Sequence, residues 1–202
     1  LSARVKPAIF MDRDGTLSYE VGYVNHLSRF RLLPWTVEAI RLINRSGFLA
    51  VVVTNQAGVA RGYFPESLVH EVHASLRASL GAGGAHLDGI YFCPHHPSVG
   101  EPPYRQDCDC RKPRPGMVRR ATAEHQIDLA RSWVVGDRMG DLALAWKVGA
   151  RGALVKTGYG LGELAYEVPR SQRAPDLVAD HLLEAVLRIV EGDAARGAEA
   201  RA

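Results

Sequence analysis

The segment Ala8-Ile9-Phe10-Met11-Asp12-Arg13-Asp14-Gly15-Thr16 is four apolar residues that stop at a pair of carboxylates. A short apolar run of this kind reads as a strand buried on both faces, and the acidic pair as a loop at its carboxyl end. The two carboxylates lie two residues apart, and Gly15 permits the turn that lets both reach one point. Working outward, the same order recurs. The run 48–53 is apolar and β-branched and stops at Thr54-Asn55-Gln56-Ala57-Gly58-Val59. The run 133–135 stops at Gly136-Asp137-Arg138-Met139-Gly140-Asp141. Stretches 89–92 and 153–155 read as two further strands. Between them lie helical patterns over 34–46, closed by Gly47, and 65–80, opened by Pro65; others cover 116–126, 141–148 and 181–190. Strands alternating with helices predict an α/β fold, a parallel sheet covered on both faces. Such sheets bind ligands at the carboxyl ends of their strands, where the polar motifs fall here.

The chain has 202 residues, 47 % of them apolar, enough for one packed domain. That domain is expected over 1–192, with a frayed tail over 193–202. Net charge is +3, from 25 Lys+Arg against 22 Asp+Glu, with no basic stripe. This argues against a nucleic-acid partner and suits a small anionic one. No segment approaches the roughly 20 apolar residues of a membrane span, so no membrane partner is expected. Residues 1–7 lead into the first strand without a signal-peptide pattern. Three cysteines, an odd number, speak against a disulfide framework and for a reducing, cytoplasmic compartment. A monomer is expected.

At the rim, one carboxylate of the Asp12/Asp14 pair can attack phosphorus while the other moves a proton. An acidic turn with no such role has the same local sequence. The hydroxyl, amides and backbone N–H groups from Thr54 onward can hold phosphate oxygens. Lys112, in Arg111-Lys112-Pro113, can neutralise a carboxylate and the phosphate it attacks. Asp137 could complete a magnesium site with Asp12, since Mg²⁺ takes a few carboxylates, phosphate and water. Asp141 also suits a helix start whatever the chemistry.

Cys93-Pro94-His95 and Cys108-Asp109-Cys110 bracket a proline-rich loop, 93–110, as C-x-H-x₁₂-C-x-C. Three thiolates and an imidazole form a tetrahedral structural zinc set. His95 rather than His96 is the chosen ligand, because C-x-H matches the spacing of C-x-C. His26, His86, His125 and His181 lie mostly in helical or loop stretches without convergent partners; His70 and His73 share a helical face with no third ligand and read as surface residues, and Trp35 and Trp146 read as core.

Together the four rim motifs resemble the haloacid-dehalogenase-like (HAD) superfamily, with its D-x-D-x-[TV], Thr or Ser, Lys, and G-D-x-x-x-D. The resemblance spans Asp12 to Asp141 and implies a HAD-type Rossmann-like sheet, here with a minimal cap. It makes Asp12 the nucleophile and Asp14 the general acid/base, with Thr54 and Lys112 holding the phosphoryl group. It places magnesium on Asp12, the backbone carbonyl of Asp14 and Asp137, with Asp141 behind them. With T-N-Q-A-G-V-A-R-G, C-P-H-H-P and C-D-C-R-K-P added, the chain is similar to the D-glycero-D-manno-heptose-1,7-bisphosphate 7-phosphatase family. That likeness implies removal of the 7-phosphate from a heptose bisphosphate, on a route to lipopolysaccharide or another surface glycan. It implies substrate contacts at Glu20, Val21, Gly22, Tyr23, Asn55, Gln56, Ala57, Arg111 and Arg138. The last position departs from the Lys often found there. Histidinol-phosphate phosphatase shares the motifs and the zinc. A polynucleotide 3′-phosphatase and an inactive zinc-stabilised binding module are more distant alternatives.

Overall fold

A computed structural model describes residues 5–199. Six strands form one all-parallel sheet: β1 (Ala8–Met11), β2 (Leu49–Asn55), β3 (Gly89–Cys93), β4 (Trp133–Gly136), β5 (Arg151–Val155) and β6 (Leu177–Ala179). Their order across the sheet is β3-β2-β1-β4-β5-β6. The principal helices are α1 (Thr36–Ser46), α2 (Glu66–Ala82), α3 (Gly116–His125), α4 (Met139–Lys147), the single turn α5 (Gly160–Gly162) and α6 (Leu182–Glu199).

The two faces follow from strand periodicity. Ile9 and Met11 point to one side, where they join Ile40 and Ile43 of α1, Leu76 of α2 and Val186 of α6. Ala8 and Phe10 point to the other, against Met117 and Val118 of α3 and Leu144 of α4. Successive residues of a strand face opposite ways, so an unbroken apolar run is what a sheet covered twice requires. Strand order reverses between β1 and β4, and the open crevice of such a sheet lies at that switch point. Asp12 follows β1 and Asp137 follows β4, so the topology sets these two carboxylates side by side.

Three boundaries depart from expectation. β6 is an additional strand; it has three residues, too few for alternation to register. Residues 160–170, which carry no strong period, form α5, a π-helical turn at Glu163–Glu167 and a 3₁₀ turn at Val168–Arg170. α6 runs on to Glu199 instead of fraying after 192, because Ala194, Ala195 and Ala198 are the best helix formers and no proline stops it. Residues 200–202 lie outside the described ones.

Candidate active site

Asp12 stands at the mouth of the switch point, anchored where its N–H donates to the Val135 carbonyl at 3.0 Å. Lys112 Nζ lies 3.0 Å from Asp12 Oδ1 and 2.7 Å from Asp141 Oδ1. Donor atoms of Asp12, Asp137 and Asp141 all fall within 4.8 Å of one another. Burial, aided by Asp141 and Asp14 and opposed by Lys112, raises Asp12 to about 6. Burial, then repulsion from Asp12 and Asp141, raises Asp137 to about 8. Burial alone would lower Lys112, but Asp12 and Asp141 outweigh it and drive its pKa up. Three acids crowded around one lysine are short of positive charge.

Asp137 shows how that shortage can be met. Its Oδ2 accepts the Tyr159 N–H at 2.8 Å, while its Oδ1 is buried without a hydrogen-bond partner. Asp141 is occupied on both oxygens, by Lys112 and by the Arg138 N–H at 3.2 Å. A hard divalent cation needs an unengaged carboxylate oxygen of the kind Asp137 offers, so the donor set fits magnesium. Gly15 (φ +81°) and Gly158 (φ +55°) press on the same carboxylate, and a Cβ on either would stand 2.1 Å from Asp137 Oδ2. Only glycine fits these approaches.

The Asp14 side chain turns away from the acid cluster. Its Oδ1 accepts from Arg13 Nε at 3.0 Å and Ser18 Oγ at 3.1 Å. Its Oδ2 accepts from Arg13 Nη2 at 2.8 Å and Gln56 Nε2 at 2.9 Å. Burial would raise this acid, but Arg13 and the hydrogen bonds prevail and hold it below the usual carboxylate range. Gln56 Nε2 also donates to Thr54 Oγ1 at 3.0 Å, joining the loops after β1 and β2.

Beside this rim, Cys93, His95, Cys108 and Cys110 bring their ligand atoms within 4.8 Å of one another. Neighbouring donors are 3.5 Å apart for Cys93–Cys108, 3.3 Å for His95–Cys110, 3.3 Å for Cys108–Cys110 and 3.8 Å for Cys93–His95. A tetrahedron with Zn–S near 2.3 Å has edges of roughly 3.8 Å, so the set fits zinc. Cys110 is lowered to about 5, chiefly by its hydrogen bond with Cys93 and despite burial, and Cys93 is raised. His96 stands outside the set, 3.3 Å from Arg61. The loop leads directly into Arg111 and Lys112. Asn55 clamps that junction: its Oδ1 accepts the Lys112 N–H at 3.0 Å and its Nδ2 donates to the Lys112 carbonyl at 3.2 Å.

A cavity of about 480 Å³ opens over these groups. The expected residues Asp12, Asp14, Glu20, Gly22, Tyr23, Thr54, Asn55, Gln56, Ala57, Arg111, Lys112 and Arg138 all line it. Burial leads the causes that raise Glu20, with the Gly22 N–H acting against it.

Relatives and solved structures resemble this chain in sequence and in fold. Residues 109–185 match the HAD-hydrolase-like family model. The D-glycero-beta-D-manno-heptose-1,7-bisphosphate 7-phosphatase of Escherichia coli K12 is 41 % identical over 184 residues, 90 % of this chain and 93 % of that protein. The enzyme of that name from Pasteurella multocida is 47 % identical over 157 residues, 76 % of this chain and 84 % of that protein. The chain belongs to the D-glycero-D-manno-heptose-1,7-bisphosphate 7-phosphatase family. It is a HAD-type phosphoric monoester hydrolase. The crystal structure of D,D-heptose 1,7-bisphosphate phosphatase from B. bronchiseptica, complexed with magnesium and phosphate, superposes with a TM-score of 0.80 at 31 % identity, over 92 % of this chain and 99 % of that one. The corresponding Burkholderia thailandensis structure gives 0.67 at 26 % identity, over 92 % and 99 %.

Several details differ from the family-based expectations. Val21 is not among the cavity-lining residues; its carbonyl accepts from Arg29 at 2.8 Å, while Val24 takes a place on the wall. The Asn55 amide is committed to the Lys112 backbone. His73 is no surface residue; it is 8 % exposed and lies 3.3 Å from Arg13. A third wall, unread in the sequence, comes from Tyr159 and Glu163. Tyr159 lies under the Arg138 guanidinium at 3.7 Å, and Glu163 accepts the Met139 N–H at 2.8 Å. Gly158 beside Tyr159 was the available signal, a glycine in a loop following a strand.

Proposed function

We propose that this chain removes the 7-phosphate of D-glycero-β-D-manno-heptose 1,7-bisphosphate with Asp12 as nucleophile. An Asp12 carboxylate oxygen attacks the 7-phosphorus, and the bond from phosphorus to the sugar oxygen breaks. Asp14, ionised in the free chain, takes up a proton as the anionic substrate binds beside it and passes that proton to the departing oxygen. The Asp14 carboxylate then takes a proton from a water that attacks the aspartyl-phosphate, freeing inorganic phosphate and restoring Asp12. Lys112 and Thr54 hold the phosphoryl oxygens. Magnesium, when held by Asp12, Asp137 and the Asp14 carbonyl, neutralises phosphate charge. Zinc on Cys93, His95, Cys108 and Cys110 fixes the loop that delivers Arg111 and Lys112. Arg111, Arg138, Glu20 and Tyr23 take the sugar and the second phosphate.

The observation that carries this reading is the cavity wall. Its lining combines one lysine that bridges two acids, two arginines, and a carboxylate and a tyrosine suited to hydroxyls. The named relatives act on the β anomer, so that anomer is the expected substrate. Among the described residues no helix is long and apolar enough to cross a membrane. The free thiols of Cys93, Cys108 and Cys110 suit a cytoplasmic setting. The test is a kinetic panel of both heptose bisphosphate anomers, fructose 1,6-bisphosphate and histidinol phosphate with Mg²⁺. The β anomer should give the highest kcat/KM. Histidinol phosphate as the best substrate would overturn the substrate assignment and leave the phosphatase chemistry standing.

A further inference from the structure

We infer that Arg13 and His73 form a buried positioning pair that sets the orientation of Asp14. The inference rests on the acid/base role given to Asp14 above. Arg13 is 1 % exposed, although its neighbours Asp12 and Asp14 line the cavity. Its Nε and Nη2 grip both oxygens of Asp14, at 3.0 and 2.8 Å. A two-point grip of this type fixes a carboxylate in its plane as well as its position. The third arm, Nη1, lies 3.3 Å from Nε2 of His73 on α2.

That contact fixes the state of the imidazole. Arg13 has no acceptor, so His73 must present an unprotonated Nε2 and carry its proton on Nδ1. His73 is itself held edge-on by Phe92 of β3, with ring centroids 5.6 Å apart. The Arg13 guanidinium also lies over Phe30, 5.8 Å from its ring centre. A helix outside the rim therefore braces the arginine that braces the acid. Without the imidazole, Nη1 would be a buried donor with no acceptor at this position, and the guanidinium would move to find one. Asp14 would move with it, because Arg13 supplies two of its four hydrogen bonds. Neither Arg13 nor His73 lines the cavity, so both act on the reaction only through Asp14.

The second half-reaction gives a readout that a general loss of structure does not. 4-Nitrophenolate leaves without a proton, so an aryl phosphate can phosphorylate Asp12 while Asp14 is misplaced. The hydrolysis that follows still needs Asp14. His73→Leu should therefore release nitrophenolate in a rapid burst near one equivalent per enzyme, then turn over slowly. Its steady rate on heptose bisphosphate should fall about tenfold or more, the scale of a small misplacement of a catalytic group. His73→Gln, which offers an amide oxygen to Nη1, should restore single-phase kinetics. Arg13→Lys, which keeps the charge and loses the two-point grip, should show the burst as well, and covers the case in which His73→Leu does not fold. Asp14→Asn is the reference: absence of a burst there would refute the role of Asp14 itself. A burst in Asp14→Asn, with wild-type kinetics or a uniform burst-free loss in folded His73→Leu and Arg13→Lys, would overturn the positioning pair alone.

Discussion

Among the described residues lie two clusters of potential metal donors, and in each the donor atoms fall within 4.8 Å of one another. In the first, Cys93, His95, Cys108 and Cys110 contact one another across 3.3–3.8 Å. Four protein ligands complete a tetrahedron and leave no position for substrate. In the second, Asp12 and Asp141 share Lys112 and line the cavity, with Asp137 beside them. Hard oxygen donors in so small a number leave positions for phosphate and water. The same feature, negative charge gathered at one point, thus serves to close a loop in one place and to attract a reactant in the other. The two are joined through the chain itself, since Cys110 is followed directly by Arg111 and Lys112.

The sharpest way to break the comparison is to neutralise one member of the open cluster. Asp12→Asn should abolish turnover, because an amide is a very poor nucleophile, while thermal melting changes little or improves. Removing a raised, buried charge relieves repulsion with Asp137 and Asp141. Rates near wild type with Mg²⁺ present would sink the covalent mechanism. Its counterpart in the closed cluster is Cys108→Ser. That change should lose the zinc, lower the melting temperature and raise KM, since Arg111 and Lys112 depend on the loop for position. Zinc content by elemental analysis and steady-state kinetics check both halves. A variant that keeps one zinc per chain with native KM would contradict the staple.

The rim residues Asp12, Thr54 and Asp137 were legible because each stands at the end of a buried strand, whereas Lys112 comes from the loop after the thiol set. The run Ala8-Ile9-Phe10-Met11 must be covered on both sides, so Asp12 can only be at a strand end. The thiol set was legible for a different reason: C-x-H and C-x-C place their own donors together with little help from the fold. What could not be read depends on distant partners. Arg13 looks like a solvated loop charge, yet it is buried, since Asp14 lies next to it and His73 arrives from α2. His73 in turn lies one helical turn from the exposed His70, and nothing local distinguishes the two. Tyr159 meets Arg138 only because β4 and β5 are neighbours.

Of smaller effect is the loss of a side chain that belongs to both regions. Arg111 Nη1 donates to the His95 carbonyl at 3.4 Å and its side chain lines the cavity. On the proposed reading the transferred phosphoryl group would occupy Asp12, Thr54 and Lys112, so a second phosphate would need other donors, and Arg111 and Arg138 line the same cavity. Contacts remote from the reacting bond contribute to positioning. Arg111→Ala should lower kcat/KM for heptose bisphosphate about tenfold or more, with a much smaller loss on an aryl monophosphate. Equal losses on both substrates would move Arg111 into the chemical step.

The smallest effect separates the two clusters by their response to pH. Asp137 is raised to about 8 and Asp12 to about 6, by burial first and by neighbouring carboxylates next. An acid with a higher pKa folded than unfolded keeps its proton longer in the folded state. Stability from Asp137 therefore falls as pH climbs from about 4 toward 8, by at most about 1.4 kcal/mol per pH unit. Cys110 acts in the opposite sense: lowered to about 5, it stabilises the fold increasingly as pH rises toward the ordinary thiol value. Lys112 is raised and Asp14 lowered, so their contributions are constant across neutral pH. His73, lowered to about 3, is a neutral imidazole in the fold and loses stability only below the ordinary histidine value. The clean quantity is the difference in unfolding free energy between Asp137→Asn and the native chain, in which the thiol and histidine contributions cancel. Without magnesium, the variant should gain on the native chain between pH 6 and pH 8 and the gain should level off above that. Magnesium favours the ionised carboxylate and should reverse the trend, stabilising the native chain more at pH 8 than at pH 6. A difference that does not change with pH would mean that Asp137 is already ionised without the cation, and the charge shortage assigned to the open cluster would not exist.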